Sequence, residues 1–237
     1  MSNSEDFESS KLGTKEHWDN TYDEELANFE EIGDEGEIWF GSESVDKMVD
    51  WTVENVPPTA NASILEVGCG NGTLLFGLLE AGYTPSSLHG IDYSAGAVRL
   101  SQEIAKTKES GVEIAFSECD FLADDPKPPQ RLEGEVATST NVWDLLLDKG
   151  TYDAIALGEK DEQGNSPAVL YPGRVARLLK PGGYFLITSC NFTEAELKTA
   201  FSTSETGLTY HSRIQHPTFS FGGHSGSVVS SVAFRKI

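Results

Sequence analysis

Apolar positions recur along this chain with two different periods, and the change of period divides it. Trp18, Tyr22, Leu26 and Phe29 follow one another at spacings of four and three, the mark of one helix face, and Thr14 stands where an N-cap is needed. A second helical pattern, Val45, Met48, Val49 and 51–53, stops at Pro57-Pro58, because proline lacks the amide that a helix interior uses. From about residue 60 the pattern changes to short β-rich apolar runs at 63–67, 88–91, 112–117, 143–147 and 184–189, with helical stretches at 73–80 and 95–106 between them. Such alternation predicts βαβ units and a mostly parallel sheet buried on both faces. At the end, Phe219-Ser220-Phe221 and 228–234 flank the turn Gly222-Gly223-His224-Ser225-Gly226, which predicts an antiparallel hairpin finishing the sheet.

The same reading divides the chain into three parts. Residues 1–10 are polar, acidic and aperiodic, a disordered tail; 11–58 form an N-terminal helical preface; 59–237 form one α/β domain. The run Asp124-Asp125-Pro126-Lys127-Pro128-Pro129 cannot be a central strand and marks a surface insertion at about 122–141. A length of 237 residues suits one such domain with decorations.

Charge narrows the partners. Lys and Arg number 17 against 38 Asp and Glu, a formal charge of −21, which repels polyphosphate and anionic lipid. Neither direct nucleic-acid binding nor membrane attachment is expected, and no apolar run approaches the ~18 residues of a membrane span. The N-terminus is acidic where a presequence is basic. Cys69, Cys119 and Cys190 lack CxxC or CxxH spacing, so neither a metal site nor a disulfide framework is expected, and the cytosol is the expected compartment.

Candidate chemistry concentrates in Ile64-Leu65-Glu66-Val67-Gly68-Cys69-Gly70-Asn71-Gly72-Thr73, a β-run, three glycines at alternate positions and a helix start. Glycines there let a ligand lie against bare backbone. The dinucleotide pattern G-x-G-x-x-G fails, with Thr73 at its last position counted from Gly68 and Leu75 counted from Gly70. Asp92 stands at the end of the next β-run, where a carboxylate accepts ribose hydroxyls in dinucleotide folds and others alike.

Glu66-x-Gly68-x-Gly70-x-Gly72 resembles motif I of the class I, seven-strand methyltransferases that use S-adenosylmethionine. The resemblance implies a Rossmann-like fold and that cofactor, with Glu66 fixing the loop or acting through water, Asp92 on the ribose, Asp120 on the adenine amino group, and Tyr93 and Phe121 beside it. Leu178-Leu179-Lys180-Pro181-Gly182-Gly183-Tyr184 is similar to the family's turn before its fifth strand. More narrowly, the segments 11–18, 36–41, Asp148-Lys149-Gly150-Thr151-Tyr152-Asp153, 187–191 and 219–223 closely resemble the eukaryotic lysine methyltransferases of translation elongation factor 1-alpha. That implies a protein-lysine N-methyltransferase, with Asp148 near the cofactor and holding the incoming ammonium, Tyr152 beside it, and Trp39, Phe40, Phe219 and Phe221 lining a lysine channel. Lys149 reads equally as a surface charge. A monomer acting on elongation factor 1-alpha is the expectation. A methyltransferase of a small molecule or another side chain, and a non-enzymatic module that kept the cofactor fold, are the alternatives.

Overall fold

The computed structural model describes residues 7–127, 142–217, 219–221, 224–226 and 228–237. Two helices come first, α1 (Lys15–Ile32) and α2 (Ser42–Asn55). The Thr14 side chain accepts from the His17 amide at the start of α1, as its sequence position predicts, and Gly33 ends the helix in the left-handed conformation. Residues 7–10 depart from the expected disordered tail: Phe7 packs edge-on against Phe192, and the Ser10 amide bonds to the Leu157 carbonyl.

The domain follows as β1 (Ile64–Val67), α3 (Thr73–Glu80), β2 (Leu88–Asp92), α4 (Ala95–Ala105), β3 (Ala115–Glu118), β4 (Trp143–Lys149), α5 (Thr151–Ala156), α6 (Tyr171–Leu178), β5 (Leu179–Ser189), α7 (Glu194–Phe201), β6 (Leu208–Ile214), β7 (Phe219–Phe221), β8 (His224–Gly226) and β9 (Ser230–Lys236). Seven strands form one sheet in the order β3-β2-β1-β4-β5-β9-β6, and β9 alone runs opposite to the direction the other six share. The parallel strands carry continuous apolar runs because helices cover both faces; Ile64, Leu65, Leu145, Leu146, Leu147, Phe185 and Ile187 are fully buried. Each such side chain contributes about 1.5–3 kcal/mol relative to exposure.

Three sequence expectations shift. The antiparallel pair that finishes the sheet is β6 with β9; Phe219–Phe221 instead pairs with His224–Gly226 in a separate two-stranded ribbon. The third run begins at Ala115, because Gly111–Glu113 closes a 3₁₀ turn first. The Pro181-Gly182-Gly183 turn is absorbed into β5 as an irregularity in its pairing with β4, with Gly182 at φ 83°. Of the expected insertion, residues 122–127 are tied to α6 through Arg177 and Asp125, and 128–141 lie outside the described residues. Among the described residues no helix is long and apolar enough to cross a membrane.

The β1–β4 edge is fixed by one polar knot. Asp144 accepts from the Ser63 amide and hydroxyl at 2.9 and 2.8 Å and from Lys180 at 2.6 Å, tying β1, β4 and β5 at the end opposite the glycine loop. Lys180 and Ser63 hold the Asp144 carboxyl below its ordinary range against the opposing effect of burial.

Candidate active site

A cavity of about 290 Å³ opens at the carboxyl ends of β1, β2 and β4, where open α/β sheets keep their sites. Its floor is the glycine loop. Gly68 and Cys69 both donate to the Ile91 carbonyl, at 2.8 and 2.9 Å, which turns the chain sharply out of β1. Gly68 has φ 67°, and a Cβ there would sit 2.0 Å from the Thr151 hydroxyl, which crosses from the β4–α5 turn to bond the Val67 carbonyl. Gly70 has φ 53° and lies under the Tyr22 hydroxyl. Gly72 does not line the cavity; it caps α3.

Asp92 closes one side. It is 6% exposed, and its two oxygens accept from Gly70 at 3.1 Å and Ser94 at 2.9 Å. Burial raises its pKa to about 6, against the pull of the Ser94, Gly70 and Tyr93 amides and the charge of Lys15. Tyr93, Asp120 and Phe121 also line the cavity; Asp120 is exposed and turns the chain by accepting from the Leu122 amide at 2.9 Å. Phe121 is buried against Tyr171.

The opposite wall comes from the preface. Trp18 and Tyr22 of α1 and Trp39 face the cavity, with Trp18 packed on Trp39 at a ring separation of 4.8 Å. Asn71 holds the wall to the glycine loop by donating to the carbonyls of Glu35 and Glu37, and Lys149 donates to the Trp39 carbonyl at 3.2 Å. Burial and the Asp92 charge push the Tyr22 hydroxyl far above its ordinary range, so it stays a neutral donor.

Several expected site residues lie elsewhere. Asp148 is fully buried and accepts from Thr151 at 2.9 Å, Tyr152 at 3.1 Å and the Tyr171 hydroxyl at 2.5 Å. It holds the start of α5 and does not line the cavity, because it points to the face of β4 opposite Lys149. Tyr152 is 5% exposed and packs at tilted and edge-on angles among Tyr171, Phe192 and Phe201. Phe40 does not line the cavity; at φ 65° its ring covers Gly150. Glu66 is 1% exposed beneath the loop, and its Oε2 has no hydrogen-bond partner. Burial raises Glu66, with Lys149 opposing. The side chains of Phe219 and Phe221 lie outside the described residues.

The residues missed in the sequence are Trp18, Tyr22, Asn71 and Lys149. The i, i+4 pair of large aromatics on α1 was the available signal for the first two, since a stripe ending in an indole N–H and a phenol rarely faces a wholly apolar core.

These features fit S-adenosylmethionine. Bare backbone at Gly68 and Gly70 admits a ligand closely, the Asp92 carboxylate suits a ribose diol, and Phe121 offers a flat apolar face for a base. Among the described residues no cluster suits a metal.

Comparison with known proteins agrees. A family model described as a methyltransferase domain matches residues 58–223. Protein-lysine N-methyltransferase efm4 of Schizosaccharomyces pombe is 39% identical, covering 95% of this chain and 94% of that protein. EEF1A lysine methyltransferase 2 of Mus musculus is 41% identical over 98% of this chain and 86% of its own. The solved structure of N-methyltransferase NodS from Bradyrhizobium japonicum WM9, in complex with S-adenosyl-l-homocysteine, superposes with a TM-score of 0.57 at 16% identity, covering 92% of this chain and 98% of that one, a likeness of fold. The chain belongs to the class I methyltransferases that use S-adenosylmethionine, in the group of the EEF1A lysine methyltransferases.

Proposed function

We propose that this protein methylates a lysine side chain of the elongation factor EEF1A. The observation that carries the reading is the extent of the likeness. The methyltransferase model matches only 58–223, whereas the identity with the lysine methyltransferases covers 95–98% of the chain, including the preface that walls the cavity.

The residues then take these roles. Gly68 and Gly70 admit the cofactor against bare backbone, Asp92 accepts its ribose hydroxyls, Asp120 takes the adenine amino group and Phe121 covers the ring. Tyr22 and Trp18 close the cavity from α1, and Trp39 lines the path of the acceptor amine, where an aromatic face favours a cation. Glu66 supports the loop from beneath. Bound there, S-adenosylmethionine supplies an electrophilic methyl group on a sulfonium. The protein's part is to orient the amine in line, exclude water and favour its uncharged form, since a free lysine amine has a pKa of ~10.4. Asp148 and Tyr152 support the β4–α5 turn and touch neither reactant.

The test is transfer of labelled methyl from S-adenosylmethionine in an extract of cells lacking the protein. One labelled band at the mass of EEF1A, yielding methyl-lysine on hydrolysis, is expected. Label confined to small molecules, or to another protein, would overturn the assignment.

A further inference from the structure

Three sides of the cavity are tied into the body of the fold. The glycine loop is bonded twice to the Ile91 carbonyl, α1 packs along α4 while Asn71 joins the 35–37 segment to the loop, and Thr151 pins the β4–α5 turn to the Val67 carbonyl. The fourth side, between the start of α1 and the end of α5, is closed by residues 7–13. They cross the gap as an open chain that ends in a 3₁₀ turn at Lys11–Gly13, and Gly13, Trp18, Gly158, Glu159 and Pro167 line the cavity there.

This strap is held by few contacts. The Ser10 amide donates to the Leu157 carbonyl at 3.0 Å, the Trp18 indole donates to the Leu12 carbonyl at 2.7 Å, and Phe7 packs edge-on against Phe192 at a ring separation of 5.2 Å. No residue from 7 to 14 is buried, so lifting the strap exposes little apolar surface, and a segment of that kind opens far more easily than the fold as a whole. Its closed position is nonetheless specific. Gly13 lies so near the Leu157–Gly158 peptide that a Cβ would sit 2.1 Å from the Leu157 oxygen. Thr14 supplies the hinge: its backbone is extended, at φ −108° and ψ 140°, and its side chain caps α1 by accepting from the His17 amide, so the strap swings without unwinding the helix.

We propose that residues 7–13 are the gate of the cofactor cavity: the strap lifts from α5 to admit S-adenosylmethionine, closes over it, and lifts again to release S-adenosylhomocysteine. Trp18 couples the gate to occupancy, because one ring both lines the cavity and holds the Leu12 carbonyl. The gate depends on the cofactor and not on the identity of the acceptor.

Two measurements on the full chain test it, with S-adenosylhomocysteine and no acceptor protein. In hydrogen exchange followed by mass spectrometry, peptides covering 7–14 exchange faster than those of α3, whose Leu74, Leu75 and Leu78 are fully buried, and the ligand slows the 7–14 peptides by about tenfold or more. Stopped-flow binding then compares the wild type with Phe7→Ala, which removes an anchor outside the cavity. Loosening that anchor raises the open fraction of free and liganded protein alike, so association and dissociation rates rise together, by about threefold or more, while Kd stays within about twofold. Gly13→Ala, whose Cβ bars closure against Leu157, loses the ligand's protection of 7–14. Equal exchange of 7–14 with and without ligand, unchanged rates in Phe7→Ala, or a weaker Kd at an unchanged association rate would overturn the gate. A wild type that passes these tests and leaves EEF1A unmethylated would refute the function proposed above and not the gate.

Discussion

Replacing Asp148 by alanine separates support from catalysis. The substitution strips the acceptor from three donors, the Thr151 and Tyr152 amides and the Tyr171 hydroxyl, two of which are the first amides of α5. Each orphaned buried donor costs about 1–3 kcal/mol. Against that stands the cost of burying the carboxylate itself, which burial pushes up from the ordinary carboxylate range to a pKa of about 7. The net loss is about 2–4 kcal/mol, within the ~5–15 kcal/mol of a typical domain, so the variant folds. In urea its midpoint falls by about 1 M. Because the native state binds a proton that the unfolded state has released, wild-type stability declines as pH rises from about 4 to 7 and is level above. Asp148→Asn, which cannot titrate, loses that decline. An Asp148→Ala protein with an unchanged urea midpoint and abolished turnover would refute the structural role and return the residue to the reaction.

Two further outcomes follow from the cavity. Cofactor donors bind the ionised form of Asp92, whose pKa lies at about 6, so cofactor affinity measured by calorimetry falls about tenfold per pH unit below that value, and Asp92→Asn removes the dependence. Gly68→Ala puts a Cβ 2.0 Å from the Thr151 hydroxyl at φ 67°, so cofactor binding is lost and the melting temperature drops; wild-type affinity in that variant would refute the close packing of the two turns.

The β1–glycine loop–α3 unit was legible in the sequence because its period and its glycines obey local rules: α3 spans Thr73–Glu80, as its pattern predicts. The strand β6 was not, since Leu208–Ile214 lies at the sheet edge, alternates polar residues and buries only Leu208 fully. Asp148 and Lys149 show a different limit. Their position at the carboxyl end of β4 was readable, but neighbouring strand residues point to opposite faces, and the sequence does not say which face carries the cavity. Trp18 and Tyr22 were readable as one helix face; that the face walls a ligand site depends on where α1 lands, across α4, with Gly96 close to Asp23.

The central claim is tested most directly by incubating purified EEF1A with the purified protein and S-adenosylmethionine and mapping the product peptides by mass spectrometry. Methylation confined to lysine is expected, with none when the cofactor is omitted. Cofactor binding of ordinary affinity with no methylated EEF1A peptide would contradict it.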